Sequence, residues 1–303
     1  AVSAAGAAMV TVLASREFLH GAIRRLTWVE LRSAVVLLAM GFVLLPLIPA
    51  TPYGPFGGVS PRSLVILVIM LASISFVGYV AVRLIGGGRG DLVAGAVGGL
   101  VSSTASTLAM ARQSRAVADG SAGPAAGAIA AGSVSLVRTG LLLLALAPAL
   151  AERLLWGLLV AGALMMVVAV SLVARRGTTS EAALPTNPFE LLQVLKMALM
   201  ITVIAFLARA ASQVFGDAGL YAVSGLTALA DVDAATVTVA GMLPTLSVEA
   251  ATIAASIAIA SNMVAKVVYG AAIGTKGFAA RLAAATLLAI GSCVIVTLAA
   301  GLV

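Results

Sequence analysis

Long apolar runs separated by short polar intervals organise this sequence from one end to the other. Nine of them are about 19 residues or longer, at roughly 31–49, 61–84, 91–112, 124–147, 153–174, 188–214, 218–243, 249–273 and 278–302. At about 1.5 Å per residue such a run crosses a hydrocarbon layer of about 30 Å. In lipid each backbone polar group must be satisfied within its own segment, so the runs read as helices. A membrane β-barrel would alternate polar and apolar positions, which these runs do not. The apolar stretch before Arg16, about 14 residues long, is too short for a full span and lacks the basic start of a signal peptide. It reads as the tail of a further helix.

Punctuation residues mark where several helices begin. Thr27 and Glu30 make a Thr-x-x-Glu capping box, and Ser60-Pro61 and Asn187-Pro188 set a cap residue before a first-turn proline. Glu190, three residues after Asn187, reads as its cap partner. Pro148 and Pro244 close spans, and Gly86-Gly87-Gly88 makes a turn. Lys196 reads as a lysine that snorkels to the interface. Gly95 and Gly99 read as sites of close helix packing.

Composition agrees with lipid as the main solvent. Of the 303 residues 62% are hydrophobic and 10% charged, and mean hydropathy is +1.17. A soluble domain carries about 25% charged residues. The net charge of +7 comes from bases scattered over short loops, which is a topology signal and excludes a phosphate-tracking nucleic-acid surface. Cys293, the single cysteine, permits no internal disulfide and reads as packing. With every run taken as a straight crossing, one side holds Arg16, Arg24, Arg25, Arg32, Arg83, Arg89, Arg153, Arg209, Lys276 and Arg281. The other holds Arg62, Arg112, Arg115, Arg175 and Arg176. The larger group predicts the cytoplasmic side. The basic segment 16–32, with Phe18, Leu19, Trp28 and Leu31 interleaved, suits the headgroup region, and His20 is an ordinary interfacial residue there.

The chain repeats itself. Pro61 to Leu84 aligns with Pro188 to Ala211. GDLVAGAVGGLVSSTASTLAMA from Gly90 aligns with GLYAVSGLTALADVDAATVTVA from Gly219, and AGSVSLVRTG from Ala131 with IASNMVAKVV from Ile259. The predicted fold is therefore an all-α polytopic membrane protein, with nine full transmembrane helices plus a partial one and two tandem four-helix repeats. Four crossings per copy would leave the two copies parallel. The divisions fall at 1–60, 61–187 and 188–303.

The repeat pairs polar positions: Ser102 with Asp231, Thr104 with Asp233, Thr107 with Thr236, Ser133 with Ser261, and Arg138 with Lys266. Asp231 sits near the middle of its run, where a carboxylate is costly and needs protein or water around it. On a regular helix Asp231 and Asp233 point about 200° apart, so a shared ligand requires locally unwound backbone. Gly98-Gly99 before Ser102, Ser103 and Thr104 marks the same weak point in the other copy. Asn262 and Lys266 share a helix face. A buried ion pair of Lys266 with Asp231 or Asp233 is the purely structural reading. In the functional one the carboxylates bind a cation or carry a proton, and Lys266 competes, since a buried lysine can give up its proton and an arginine such as Arg138 cannot.

Several phrases are together distinctive: REFLHG with LTWVELR, GPFGGVSPR, SFVGYVAVRLIG, GGLVSSTAST, ALADVDAATVT and SNMVAK. On these the chain resembles the MgtC/SapB-related bacterial membrane proteins that carry a C-terminal membrane domain of unknown function. Ser60 stands where that family usually has Asn, and of its N-terminal helices only Ala1–Ser15 has a counterpart here. The resemblance implies a multi-pass protein of the bacterial inner membrane, with magnesium linked only through the name.

The functional expectation is a transporter or channel for a small ion, Mg²⁺ or H⁺, with Asp231 and Asp233 as ligands and Thr236, Asn262, Lys266, Ser102, Ser103, Thr104, Thr107 and Arg138 around them. No cofactor and no nucleic acid is expected. The partners are the bilayer and the ion, and a homo-oligomer is compatible. Anion transport along Arg138 and Lys266, a regulatory protein that binds another membrane complex, and an Asp-x-Asp enzyme acting on a diphosphate lipid are the alternatives. The enzyme ranks low because such sites lie at the membrane surface with more carboxylates.

Overall fold

The computed structural model describes residues 28–54, 60–84, 90–116, 121–174 and 191–299. Thr27, Asn187, Glu190 and the segment before Trp28 lie outside them, as do the side chains of Gln193 and Lys196. The elements are helices: α1 Trp28–Ala39, a π turn Met40–Leu44, α2 Leu45–Leu47, α3 Pro61–Leu84, α4 Asp91–Ala116, α5 Ala122–Leu146, α6 Pro148–Ala174, α7 Leu191–Ala228, α8 Val232–Gly241, α9 Val248–Ile273 and α10 Lys276–Ala299. Seven of them are long and apolar enough, by length and composition, to cross a membrane. That is the mark of a membrane protein. The π turn lies just before Pro46, which has no N–H to give to the preceding turn.

Caps explain several boundaries. The Ser60 hydroxyl accepts from Ser63 N at 3.4 Å, with Pro61 in the first helical position. Ser247 accepts from Ala250 N at 3.1 Å to start α9. Pro148 opens α6 directly after Ala147, the C-cap of α5, so those two helices are joined by one residue.

The expected straight span over 91–112 does not form. Ser102 breaks α4 with extended angles (φ −159°, ψ 105°), and the chain turns back on itself. Gln113 Nε2 donates to Asp91 Oδ1 at 2.9 Å, whereas 22 residues of straight helix would part them by about 33 Å. A methyl on Gly98 would collide with the Ser106 hydroxyl, eight residues on. Residues 91–116 are therefore a helical hairpin, hairpin A, with its tip at Ser102 and both feet at one end of the molecule.

The expected span over 218–243 is also a hairpin. Gly216 turns the chain at the end of 191–215 with a positive φ of 62°, open to glycine without a Cβ penalty. The next arm, 217–228, runs alongside α9 in the same direction. Gly225 lies against Ile257 and Ser261, the Ala228 carbonyl accepts from Asn262 Nδ2 at 2.7 Å, and that of Leu229 from the Tyr269 hydroxyl at 3.2 Å. Only six residues, about 25 Å of extended chain from Cα to Cα, join Gly241 to Val248 at the start of α9. They reach it only if α8 folds back from Asp231. Residues 217–241 form hairpin B.

These reversals change which helix ends meet. Arg115 donates to the Ala272 carbonyl at 3.3 Å, Thr275 N to Ser114 Oγ at 3.1 Å and Arg281 to Ser121 Oγ at 2.7 Å. The feet of hairpin A and the α9–α10 turn thus share one end, the lower end, although straight crossings put Arg115 and Lys276 on opposite sides. The α5–α6 turn, Gly216 and the feet of hairpin B share the upper end. The expectation of parallel copies rested on four straight crossings each, and that premise fails. The core sits between α4, α5, α6, α9 and α10 and is built largely of alanine and glycine. A methyl at Gly99 would lie 2.6 Å from Ala131 Cα, so α4 and α5 touch backbone to backbone there.

Candidate functional site

Each hairpin tip is one interrupted helix whose two halves leave backbone groups without helical partners. At tip A, Ser102 Oγ accepts from Ala105 N at 3.2 Å and caps the returning arm. At tip B, Asp231 (φ −154°, ψ 118°) does the same for α8 by accepting from Ala234 N at 2.9 Å. The two breaks fall on positions that the sequence repeat pairs. Thr107 and Thr236, also paired, each turn a hydroxyl back to the backbone, to Ser103 O and Val232 O at 2.8 Å.

Arg138 on α5 ties the tips together. One of its terminal nitrogens donates to the Leu100 carbonyl, at the end of hairpin A's first arm, and the other forms a charge-assisted bond with Asp233 Oδ2. Thr139 Oγ1 donates to Asp233 Oδ1 at 3.0 Å, so both carboxylate oxygens are engaged. Arg138 Nε has no hydrogen-bond partner among the described residues. Arg138 and Asp233 are 6% and 1% exposed, so the pair is screened from solvent and replaces the hydration each group would lose.

The structural alternative, an ion pair of Lys266 with an aspartate, is not the one formed. Asp233 goes to Arg138 instead, and Arg138 turns inward, away from the interface. Lys266 is 5% exposed, within electrostatic reach of Asp233, Arg138 and Asp231, and forms no hydrogen bond or ion pair with a described residue. Asn262, one turn earlier on α9, holds the end of hairpin B's first arm. Of the sequence candidates, Ser102, Asp231, Asp233, Arg138, Asn262 and Lys266 thus belong to the tips or the helices that clasp them. Ser103, Thr107 and Thr236 are buried packing positions beside the tips, and Thr104 is half-buried at tip A.

Sequence reading missed Thr139, Tyr269, Asp91 and Gln113. The last two carried no signal of the reversal by themselves, since a straight span also ends on polar residues at both interfaces. As for a metal, the carboxylate oxygens are mostly occupied, and no group of three or more His, Cys, Asp or Glu side chains lies together among the described residues. Two aspartates so engaged do not form the oxygen cage that a divalent ion takes.

Broken hairpins clasped between long apolar helices, with a buried charge pair where their tips meet, define a polytopic α-helical membrane protein with an intramembrane polar site. Residues 69–274 match the family described as a domain of unknown function, DUF4010. The match covers more than half of the chain, including both hairpins, Arg138 and Lys266, and the chain belongs to that family. No curated protein and no solved structure matches it.

Proposed function

We propose that the chain is a transporter that carries a small solute through a site between the two hairpin tips. Its two copies are inverted. Each has one crossing, a hairpin, then two crossings: α3, hairpin A, α5 and α6, then 191–215, hairpin B, α9 and α10. Three crossings per copy reverse the second copy, so the relating axis lies in the membrane plane. Reciprocal packing supports this: α5 touches α8 as α9 touches α4, α5 touches α10 as α9 touches α6, and α6 meets α10.

Charge supports the same topology. Among the described residues Arg83, Arg112, Arg115, Lys276 and Arg281 fall at or near helix ends of the lower end, against Arg62, Arg153 and Arg209 at the upper. The lower end is therefore cytoplasmic. The resemblance to MgtC/SapB-related proteins supports a bacterial inner membrane as the location.

The observation that carries the reading is the Arg138–Asp233 pair between opposed tips. Discontinuous helices that meet at mid-membrane are how transporters present caps, carbonyls and charges to a solute, and each copy can rock to expose the site to one side. Mg²⁺ is disfavoured by the engaged carboxylates. Asp231, with one oxygen beyond its cap bond, is the candidate proton carrier. The test is flux in liposomes reconstituted with the purified protein, across cations, anions and protons. Asp231→Asn should abolish the flux, and an absence of any protein-dependent flux would overturn the reading.

A further inference from the structure

Inverted symmetry shows where the two halves of the site differ. Arg138 and Lys266 are paired positions on paired helices, α5 and α9, and each helix packs against the opposite copy's hairpin. Arg138 meets Asp233 at tip B. The position paired with Asp233 at tip A is Thr104, which carries a hydroxyl where the symmetric arrangement would place a carboxylate. Lys266 is left buried with no ion pair or hydrogen bond to a described residue. The carboxylates within its electrostatic reach are Asp233, already engaged by Arg138 and Thr139, and Asp231, which caps α8. The carbonyl its symmetry would assign to it, that of Leu229, already accepts from the Tyr269 hydroxyl.

The cavity beside Lys266 adds no further carboxylate. Lys266 lines a cavity of about 10 Å³ with Gly132, Met165, Met263, Leu282 and Thr286, a wall whose only other polar side chain is a hydroxyl. A buried cation without a partner is destabilising, and an arriving anion removes that cost. The cavity holds about one water-sized group, so a larger anion requires its walls on α5, α6, α9 and α10 to move.

Resting on the transporter reading above, we propose that the substrate is a small anion whose charged group binds opposite Lys266, at the place by Thr104 where the repeat lacks a carboxylate. The second arm of tip A then presents its N-terminal N–H groups to the same anion. Lys266 gives charge and Thr104 a hydroxyl. Arg138 and Asp233 form the closed counterpart that holds tip B.

The experiment is thermal stabilisation of the purified full chain by acetate, succinate, sulfate and phosphate, each titrated at constant ionic strength, together with flux of the same anions in liposomes. At least one of them should stabilise the wild type and be carried. Lys266→Gln and Thr104→Asp should each weaken that anion's affinity at least tenfold, and Lys266→Arg should retain binding. Thr104→Asp supplies the missing carboxylate and should melt above the wild type, which separates anion displacement from misfolding. Unchanged anion affinity in both variants would overturn the proposal, as would flux of cations alone, which leaves the transporter reading standing. No flux of any ion would remove both.

Discussion

Hairpins A and B have one shape and different chemistry. Both break at a residue that caps its own returning arm, Ser102 in one and Asp231 in the other. Two residues on, A has Thr104 and B has Asp233. B's carboxylate is locked to Arg138 and Thr139, whereas A's Thr104 is half-buried and carries no charge. The shape is thus set by backbone demands that any good cap meets, while the charges decide what each tip holds. Tip B reads as the fixed half of the site and tip A as the half that exchanges its contents.

The largest expected effect breaks the fixed half. Arg138→Gln or Asp233→Asn alone leaves one buried charge uncompensated and should cost about 3–5 kcal/mol of stability. The double variant should regain most of that loss, as read by chemical denaturation in detergent. Next is the foot of hairpin A: Gln113→Leu removes the donor to the buried Asp91 and should cost about 1–3 kcal/mol. Spin labels at Gly90 and Ala116 should then report a wider spread of distances. Gly99→Leu forces α4 from α5 and should cost about 1–3 kcal/mol by overpacking in the same assay. Asp231→Asn has the smallest effect on stability, within a few tenths of a kcal/mol because asparagine caps as well. Flux should nonetheless be lost, and that contrast separates the cap from the transport role.

The helices were legible in the sequence because lipid enforces apolar length, and so were the paired polar positions. The reversals were not. Residues 91–116 and 217–241 are apolar and long enough to cross, and length alone does not distinguish a straight helix from one folded at its middle. One detail carries the reversal: Gly98 has no side chain to obstruct Ser106, whereas Asp91 and Gln113 are polar as the ends of a straight span also are. Read as straight crossings, these runs make the copies parallel; the reversals instead support the inverted arrangement proposed above. At the site, the polar cast was visible, but the partnership of Arg138 with Asp233 was not, because it joins helices from the two copies.

The most direct measurement is side-specific labelling of single cysteines at Ala116, Ala272 and Thr245, in a Cys293→Ser background, with a membrane-impermeant thiol reagent. Hairpins that return to their own side put Ala116 and Ala272 on one face and Thr245 on the other. Labelling of Ala116 from the same side as Thr245, and opposite to Ala272, would contradict the account.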